Sequence, residues 1–158
     1  MGEEAPLVAP RFARGCRCFA ALADGAVAGY GWLSRGPEWI GELQLEIRPR
    51  DGEAYVWNCV TLAPHRRRGV FRSLLLGITE TARREGLQRL WIGSVAIPAE
   101  RAVEPSGFRP ALRFTTVSIA GMHIMLVSQE EGALGVEAES VLSIPAGVRL
   151  QRSRRVRH

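Results

Sequence analysis

The feature that most limits what this chain can fold into is a change of hydrophobic period near residue 69. Before it, apolar residues come in short runs that alternate as strands do. After it they recur every three to four residues, as on one face of a helix. The strand signals are specific. Residues 17–23 and 26–34 are apolar runs separated by Asp24-Gly25, a pair suited to the left-handed positions of a tight hairpin turn. Over 42–47 the alternation is strict, with Leu43, Leu45 and Ile47 on one side and Glu42, Gln44 and Glu46 on the other. Residues 53–62, rich in β-branched and aromatic side chains, form a further strand after the 49–52 turn. This part reads as an antiparallel meander. Val70, Phe71, Leu74, Leu75, Ile78 and Ala82 then mark one long helix, which Gly86 can end. Residues 89–95 read as a buried strand, 98–104 as a short helix stopped by Pro105, and 111–127 as two strands parted near Gly121.

The expectation is a mixed α/β (α+β) fold. It has a mostly antiparallel central sheet, one long helix after the central strand, and a short second helix. Residues 1–16 mix proline, glycine and charge without a period and read as a flexible arm. The domain is expected over 17–127, with a C-terminal extension over 128–158 where the pattern fades. A length of 158 residues suits one domain and is short for two full ones.

Composition removes several function classes. A hydrophobic share of 46% and a charged share of 23% are those of an ordinary globular chain. No run of 18 apolar residues is present to span a membrane as a helix. Two glutamates stand near the N-terminus where a secretory signal would carry basic residues, so a cytoplasmic protein is expected. The net charge of +5 resides in the last ten residues, which hold Arg149, Arg152, Arg154, Arg155 and Arg157. Without these five, sixteen arginines balance sixteen acids. That tail has no interleaved aromatics and no helical face, so a solvated terminus is expected rather than a nucleic-acid or membrane contact. Lysine is absent, which excludes lysine nucleophiles and Schiff bases. Cys16, Cys18 and Cys59 suit neither a disulfide framework nor a four-cysteine zinc site, and no metal is expected.

The residues with chemistry lie where strand gives way to helix: Val60-Thr61-Leu62-Ala63-Pro64-His65-Arg66-Arg67-Arg68-Gly69-Val70-Phe71-Arg72. A helix start offers unpaired N–H groups and the positive end of the dipole, and a glycine lets a phosphate approach the backbone. The local physics permits an anion site, and equally a solvated basic turn at the head of a core helix.

This stretch resembles the acyl-CoA signature of the GNAT acyltransferase superfamily, Arg/Gln-x-x-Gly-x-Gly/Ala between a strand and a helix. Arg66 and Gly69 match it, and Phe71 stands where the family has Gly or Ala. Residues 21–30 resemble the hairpin before the family's central strand, and Gly107-Phe108 its Gly-Phe pair. The resemblance covers roughly residues 17–127. It implies a GNAT-like sheet that splays beside the central strand. The backbone of Cys59, Val60, Thr61 and Leu62 would pair with the pantetheine arm of acetyl-CoA. The amides of Arg67, Arg68, Gly69, Val70 and Phe71 would hold the pyrophosphate, with Arg66, Arg67, Arg68 and Arg72 adding charge.

The reaction implied is direct acetyl transfer to an amine of a small molecule or peptide, which requires a group to take the amine proton. Period 2 places Glu53, Tyr55, Trp57, Cys59 and Thr61 on one face. Glu53 and Tyr55 are the candidate catalytic residues, with Glu46 or Glu42 next. Family members carry Asn at the place of Ala96 and Tyr at the place of Val103. These departures leave open a catalytically weak module that binds acyl-CoA as a sensor or partner domain. Self-association as a homodimer is also left open.

Overall fold

Asp24 and Gly25 both take up positive φ, 52° and 79°, and close the hairpin between β1 (Arg17–Ala23) and β2 (Ala26–Ser34). In this computed structural model the described residues are 4–94, 102–119, 122–144 and 146–152. They fall into two compact units that part between Phe108 and Arg109.

The first unit holds a four-stranded sheet in the order β1-β2-β5-β6, with β5 at Glu53–Thr61 and β6 at Arg89–Ile92. β1, β2 and β5 run antiparallel, and β6 lies parallel to β5. A small hairpin of β3 (Glu38–Ile40) and β4 (Leu45–Ile47) is inserted between β2 and β5. The strand expected over 42–47 is therefore shorter, because the chain turns through Gly41 to Gln44, where Gln44 has φ 51°. Helix α2 (Val70–Arg84) lays Leu74, Leu75 and Ile78 on Leu33, Ala54 and Val56, forming the core on one face of the sheet. Of the expected short second helix, residues 98–101 lie outside the described part. Ala102 and Val103 are helical and lead into a 3-10 turn at Glu104–Ser106.

The other face corrects the expectation of a flexible arm. Residues Ala5–Ala13 form helix α1. Its Arg11 is buried at 6% exposure, with the guanidinium carbon 5.0 Å from the Trp32 ring centre and 4.6 Å from that of Trp57. Phe12 packs on Trp32 at 5.2 Å, and Val8 adds to the same cluster. What anchors α1 is thus a cation held against two indoles rather than a leucine stripe, so period analysis passes over it. Pro6 stands in the first turn, where a missing N–H costs little, while Pro10 lies inside the helix.

Strand β5 contains an irregularity that alternation alone does not reveal. Trp32 pairs with Trp57 and Tyr30 with Val60, so Gly31 alone faces both Asn58 and Cys59. Asn58 has φ 44°, the left-handed region that asparagine tolerates better than most residues. The extra residue reverses side-chain parity. Trp57 stays with Trp32 and Tyr30, while Cys59 joins Leu33, Val56 and Leu74 under α2. The expected common face of Glu53, Tyr55, Trp57, Cys59 and Thr61 therefore ends at Trp57.

The second unit is an antiparallel sheet of β7 (Leu112–Ile119), β8 (Met122–Gln129) and β9 (Gly147–Arg152), with helix α3 (Ala133–Leu142). Met125, Val127, Ala138, Val141, Leu142 and Ile144 are buried in it. This revises the C-terminal boundaries, since 112–127 belong with the extension rather than with the first unit. Arg149 and Arg152 lie in a strand paired to β8 and not in a solvated tail. Gly121 and residues 153–158 are outside the described part.

Gly31 is a sharp test of the β5 packing. A Cβ there would sit 2.7 Å from Cys59 Sγ and 3.2 Å from Leu74 Cδ2. Gly31→Ala is expected to destabilise by about 1–3 kcal/mol, as overpacking does. Adding Cys59→Ala should restore most of it, read as the shift in urea midpoint at constant m-value.

Candidate active site

The pairing of β5 with β6 runs from Glu53↔Arg89 to Val56↔Ile92 and stops there. Beyond Val56, β5 keeps β2 on one side, while its other edge has no strand partner among the described residues. Among the described residues the parallel pairing thus forks after Val56↔Ile92, and the arm of β5 without a partner on this side is Trp57 to Thr61.

That arm leads directly into the arginine-rich turn before α2. The Leu62 N–H donates to Ala28 O at 2.9 Å, which anchors the strand end, and a 3-10 turn at Ala63–His65 follows. Arg67 and Gly69 have φ 61° and 78°, and Gly69 caps α2 with open space on the side where a Cβ would point. Within α2, Ser73 N donates to Gly69 O at 3.0 Å, so the amides of Val70, Phe71 and Arg72 precede the first helical donor and emerge at the positive end of the dipole. Arg66, Arg67, Arg68 and Arg72 are exposed around it, and Arg66 Nε reaches back to Thr61 O at 3.4 Å. Gly29 lets this junction close, because a Cβ on it would meet Val60 O at 2.8 Å and Val70 Cγ1 at 3.0 Å. The structure therefore brings Cys59, Val60, Thr61 and Leu62 together with the 66–72 turn. His65 is half-buried at the start of this turn.

The two catalytic candidates fare differently. Tyr55 lies at the crotch of the fork, where a Cβ on Gly93 would be 3.2 Å from its hydroxyl. Burial pushes its phenol well above the ordinary range, with the negative charge of Glu42 a lesser cause. A phenol so raised keeps its proton near neutral pH and can donate a hydrogen bond. Glu53 lies at the closed end of the fork. It is 8% exposed, and its carboxylate accepts from Trp91 Nε1 at 2.8 Å, from the Arg50 N–H at 3.1 Å and from Arg89 at 3.5 Å. These donors hold it as a brace between β5 and β6. Glu42 is exposed and Glu46 half-exposed, the latter paired with Arg48. Cys59 is no nucleophile, since burial pushes its thiol up to about 12. Ala96 lies outside the described residues. Val103 packs against the core cluster and offers no proton.

Sequence reasoning missed a polar cluster on the α1 side of the bulge. Glu4 accepts from Asn58 Nδ2 at 2.8 Å and from Tyr30 Oη at 3.2 Å, and it lies 3.6 Å from Arg11. The Asn58 hydrogen bond, with the Arg11 charge after it, holds the Glu4 carboxyl below the usual carboxylate range. An asparagine inside a β-branched strand was the available signal.

With this geometry in view, comparison with known proteins is direct. The Acetyltransferase (GNAT) family model matches residues 3–104. The chain belongs to the GNAT acetyltransferase family. A putative acetyltransferase from Agrobacterium tumefaciens str. C58 is similar in structure, with a TM-score of 0.52 at 22% identity over 75% of this chain and 78% of that one. A Trypanosoma brucei acetyltransferase gives 0.51 at 18% identity, over 74% and 78%. AAC(6')-Iy, solved with the bisubstrate analog CoA-S-monomethyl-acetylneamine, gives 0.53 at 16% identity, over 69% and 76%. At these identities the likeness is one of fold. No curated protein matched. The GNAT match begins at residue 3 and so takes in α1, the segment that reads as an arm from sequence. Among the described residues no helix is long and apolar enough to cross a membrane.

The bracing of Glu53 has a measurable consequence for this GNAT domain. Glu53→Gln removes the charge that accepts from Trp91, the Arg50 N–H and Arg89 and should cost about 1–3 kcal/mol of stability. The pH dependence of turnover should match that of the parent at temperatures where both are folded. Thermal denaturation alongside a pH-rate profile checks this.

Proposed function

We propose that the chain is an acetyl-CoA-dependent N-acetyltransferase of the cytoplasm, transferring acetyl directly to an amine of a small molecule or peptide. The observation that carries this reading is the β5–β6 fork, which opens onto the left-handed Gly69 and the free amides of α2. A long, extended thiol arm ending in a pyrophosphate fits such a strand edge followed by such a turn. The unpaired edge from Trp57 to Thr61 hydrogen-bonds the pantetheine amides. The amides of Val70, Phe71 and Arg72 receive the pyrophosphate, and Arg67, Arg68 and Arg72 neutralise its charge. Arg66 steadies the strand end through Thr61 O. On this reading the thioester lies at the crotch, beside Tyr55.

In the transfer the amine nitrogen bonds to the carbonyl carbon, the carbon–sulfur bond breaks, the amine gives up a proton and the thiolate gains one. Tyr55, protonated and buried, donates a hydrogen bond to the oxygen or sulfur on which charge develops. The amine proton leaves through water, because Glu53 is engaged elsewhere. That the bisubstrate analog bound to AAC(6')-Iy joins CoA to an amine-bearing neamine supports an amine acceptor. A second reading, acyl-CoA binding with little turnover, is favoured by Val103, which fills with core packing the place where the family resemblance implies a proton-donating Tyr.

Calorimetry with acetyl-CoA, paired with thiol release over a panel of amines, separates these readings. Binding with release is expected, binding without release selects the module, and no binding removes both. Gly69 localises the site. Gly69→Ala and Gly69→Asp share the strain of a side chain at φ 78°, but only the aspartate sets negative charge against the phosphates. Gly69→Asp should weaken acetyl-CoA at least about tenfold beyond Gly69→Ala, or roughly 1.4 kcal/mol.

A further inference from the structure

The bulge that frees the arm of β5 is fastened from outside the sheet. Asn58 and Cys59 share the space opposite Gly31. Cys59 turns toward α2, where its Sγ lies against the Gly31 position. Asn58, at φ 44°, sends its amide to the opposite side and donates to Glu4 Oε2 at 2.8 Å. The same oxygen accepts from Tyr30 Oη on β2 at 3.2 Å and faces Arg11 of α1 at 3.6 Å. Arg11 is in turn fixed against Trp32 and Trp57, the residue immediately before the bulge. One carboxylate thus joins α1, β2 and the strained residue of β5. Asn58 is the second residue of the free arm, next to Cys59, Val60 and Thr61. Its conformation sets where the whole unpaired edge points.

We propose that Glu4 is a positioning residue for acetyl transfer: through Asn58 it tethers the β5 bulge to α1 and so fixes the edge that receives the thioester arm. The role of that edge rests on the acetyltransferase reading above, whereas the tether itself does not. The ordered N-terminal helix then has a catalytic consequence although it supplies no reacting group. A tether needs an acceptor for the Asn58 amide and does not need a base. Glu4→Gln keeps the acceptor and removes the charge, whereas Glu4→Ala removes both. Asn58→Gly keeps a residue at ease with positive φ and removes the donor.

The test begins with hydrogen exchange on the unliganded full-length protein. In Glu4→Ala and in Asn58→Gly, the amides of residues 59–62 should exchange at least about tenfold faster, while those of Leu75 and Ile78 in α2 keep their protection. In turnover with acetyl-CoA, both variants should lose about tenfold in kcat/KM for acetyl-CoA, because the edge that receives the thioester arm is no longer held in place. The double variant should be no worse than either single one, as expected for two ends of one contact. Glu4→Gln should recover most of the loss. Unchanged exchange at 59–62 overturns the tether, and so does a Glu4→Gln variant as impaired as Glu4→Ala, which would assign the effect to charge. Since exchange is read without ligand, a parent protein that turns over no acetyl-CoA would sink the proposed reaction while the tether is still decided.

Discussion

One extra residue in β5 governs the arrangement of the first unit. At Asn58 the strand takes a left-handed step, and side chains that would have continued on one face are sent to the other. Cys59 then enters the α2 core, and the space it fills is space that Gly31 leaves empty. Trp57 remains behind with Trp32, where the pair receives Arg11 of α1. Past the bulge the strand keeps its ladder to β2, but its pairing with β6 has already ended at Val56↔Ile92. Among the described residues this leaves an edge of β5 without a strand partner beside the arginine-rich turn.

Charge is handled differently at the two ends of β5. At the closed end Glu53 is buried and accepts from Trp91, Arg50 and Arg89, a brace that ties the parallel pairing of β5 and β6 together. At the open end, arginines stand exposed around the turn and the α2 amides point outward. A buried carboxylate with a full set of donors resists becoming a mobile base, whereas an exposed cluster of cations beside free N–H groups is ready for a polyanion. The two ends of β5 thus differ in kind, and beside the open end burial raises the Tyr55 phenol well above its ordinary range.

Much of this was legible in residues. The Asp24-Gly25 hairpin, the α2 stripe and the Arg66–Gly69 junction each carry a local signal that tertiary contacts reinforce. What escaped the sequence has physical reasons. Helix α1 is anchored by an arginine lying over two tryptophans that are distant in sequence, and no window of local hydrophobicity reports such a contact. Strand β9 is half arginine and polar by composition and gains its order from pairing with β8. Glu53 looks like a candidate base because period 2 puts it on a face with Tyr55. Its partners Trp91 and Arg89 come from a strand that period analysis finds but cannot align in register. The bulge defeats alternation by its nature, since a single inserted residue inverts every assignment after it.

The central claim is that the fork edge and the α2 turn form one continuous binding surface for acyl-CoA. At 17.4 kDa the chain suits amide mapping by heteronuclear NMR, with acetyl-CoA titrated into the labelled protein. The account predicts that the largest shifts fall together on Trp57 to Leu62 and on Arg67 to Arg72, saturating at one concentration, while Glu53 and Arg89 stay in place. Shifts confined to the exposed arginines, or spread over other strands with residues 57–62 unmoved, would contradict it.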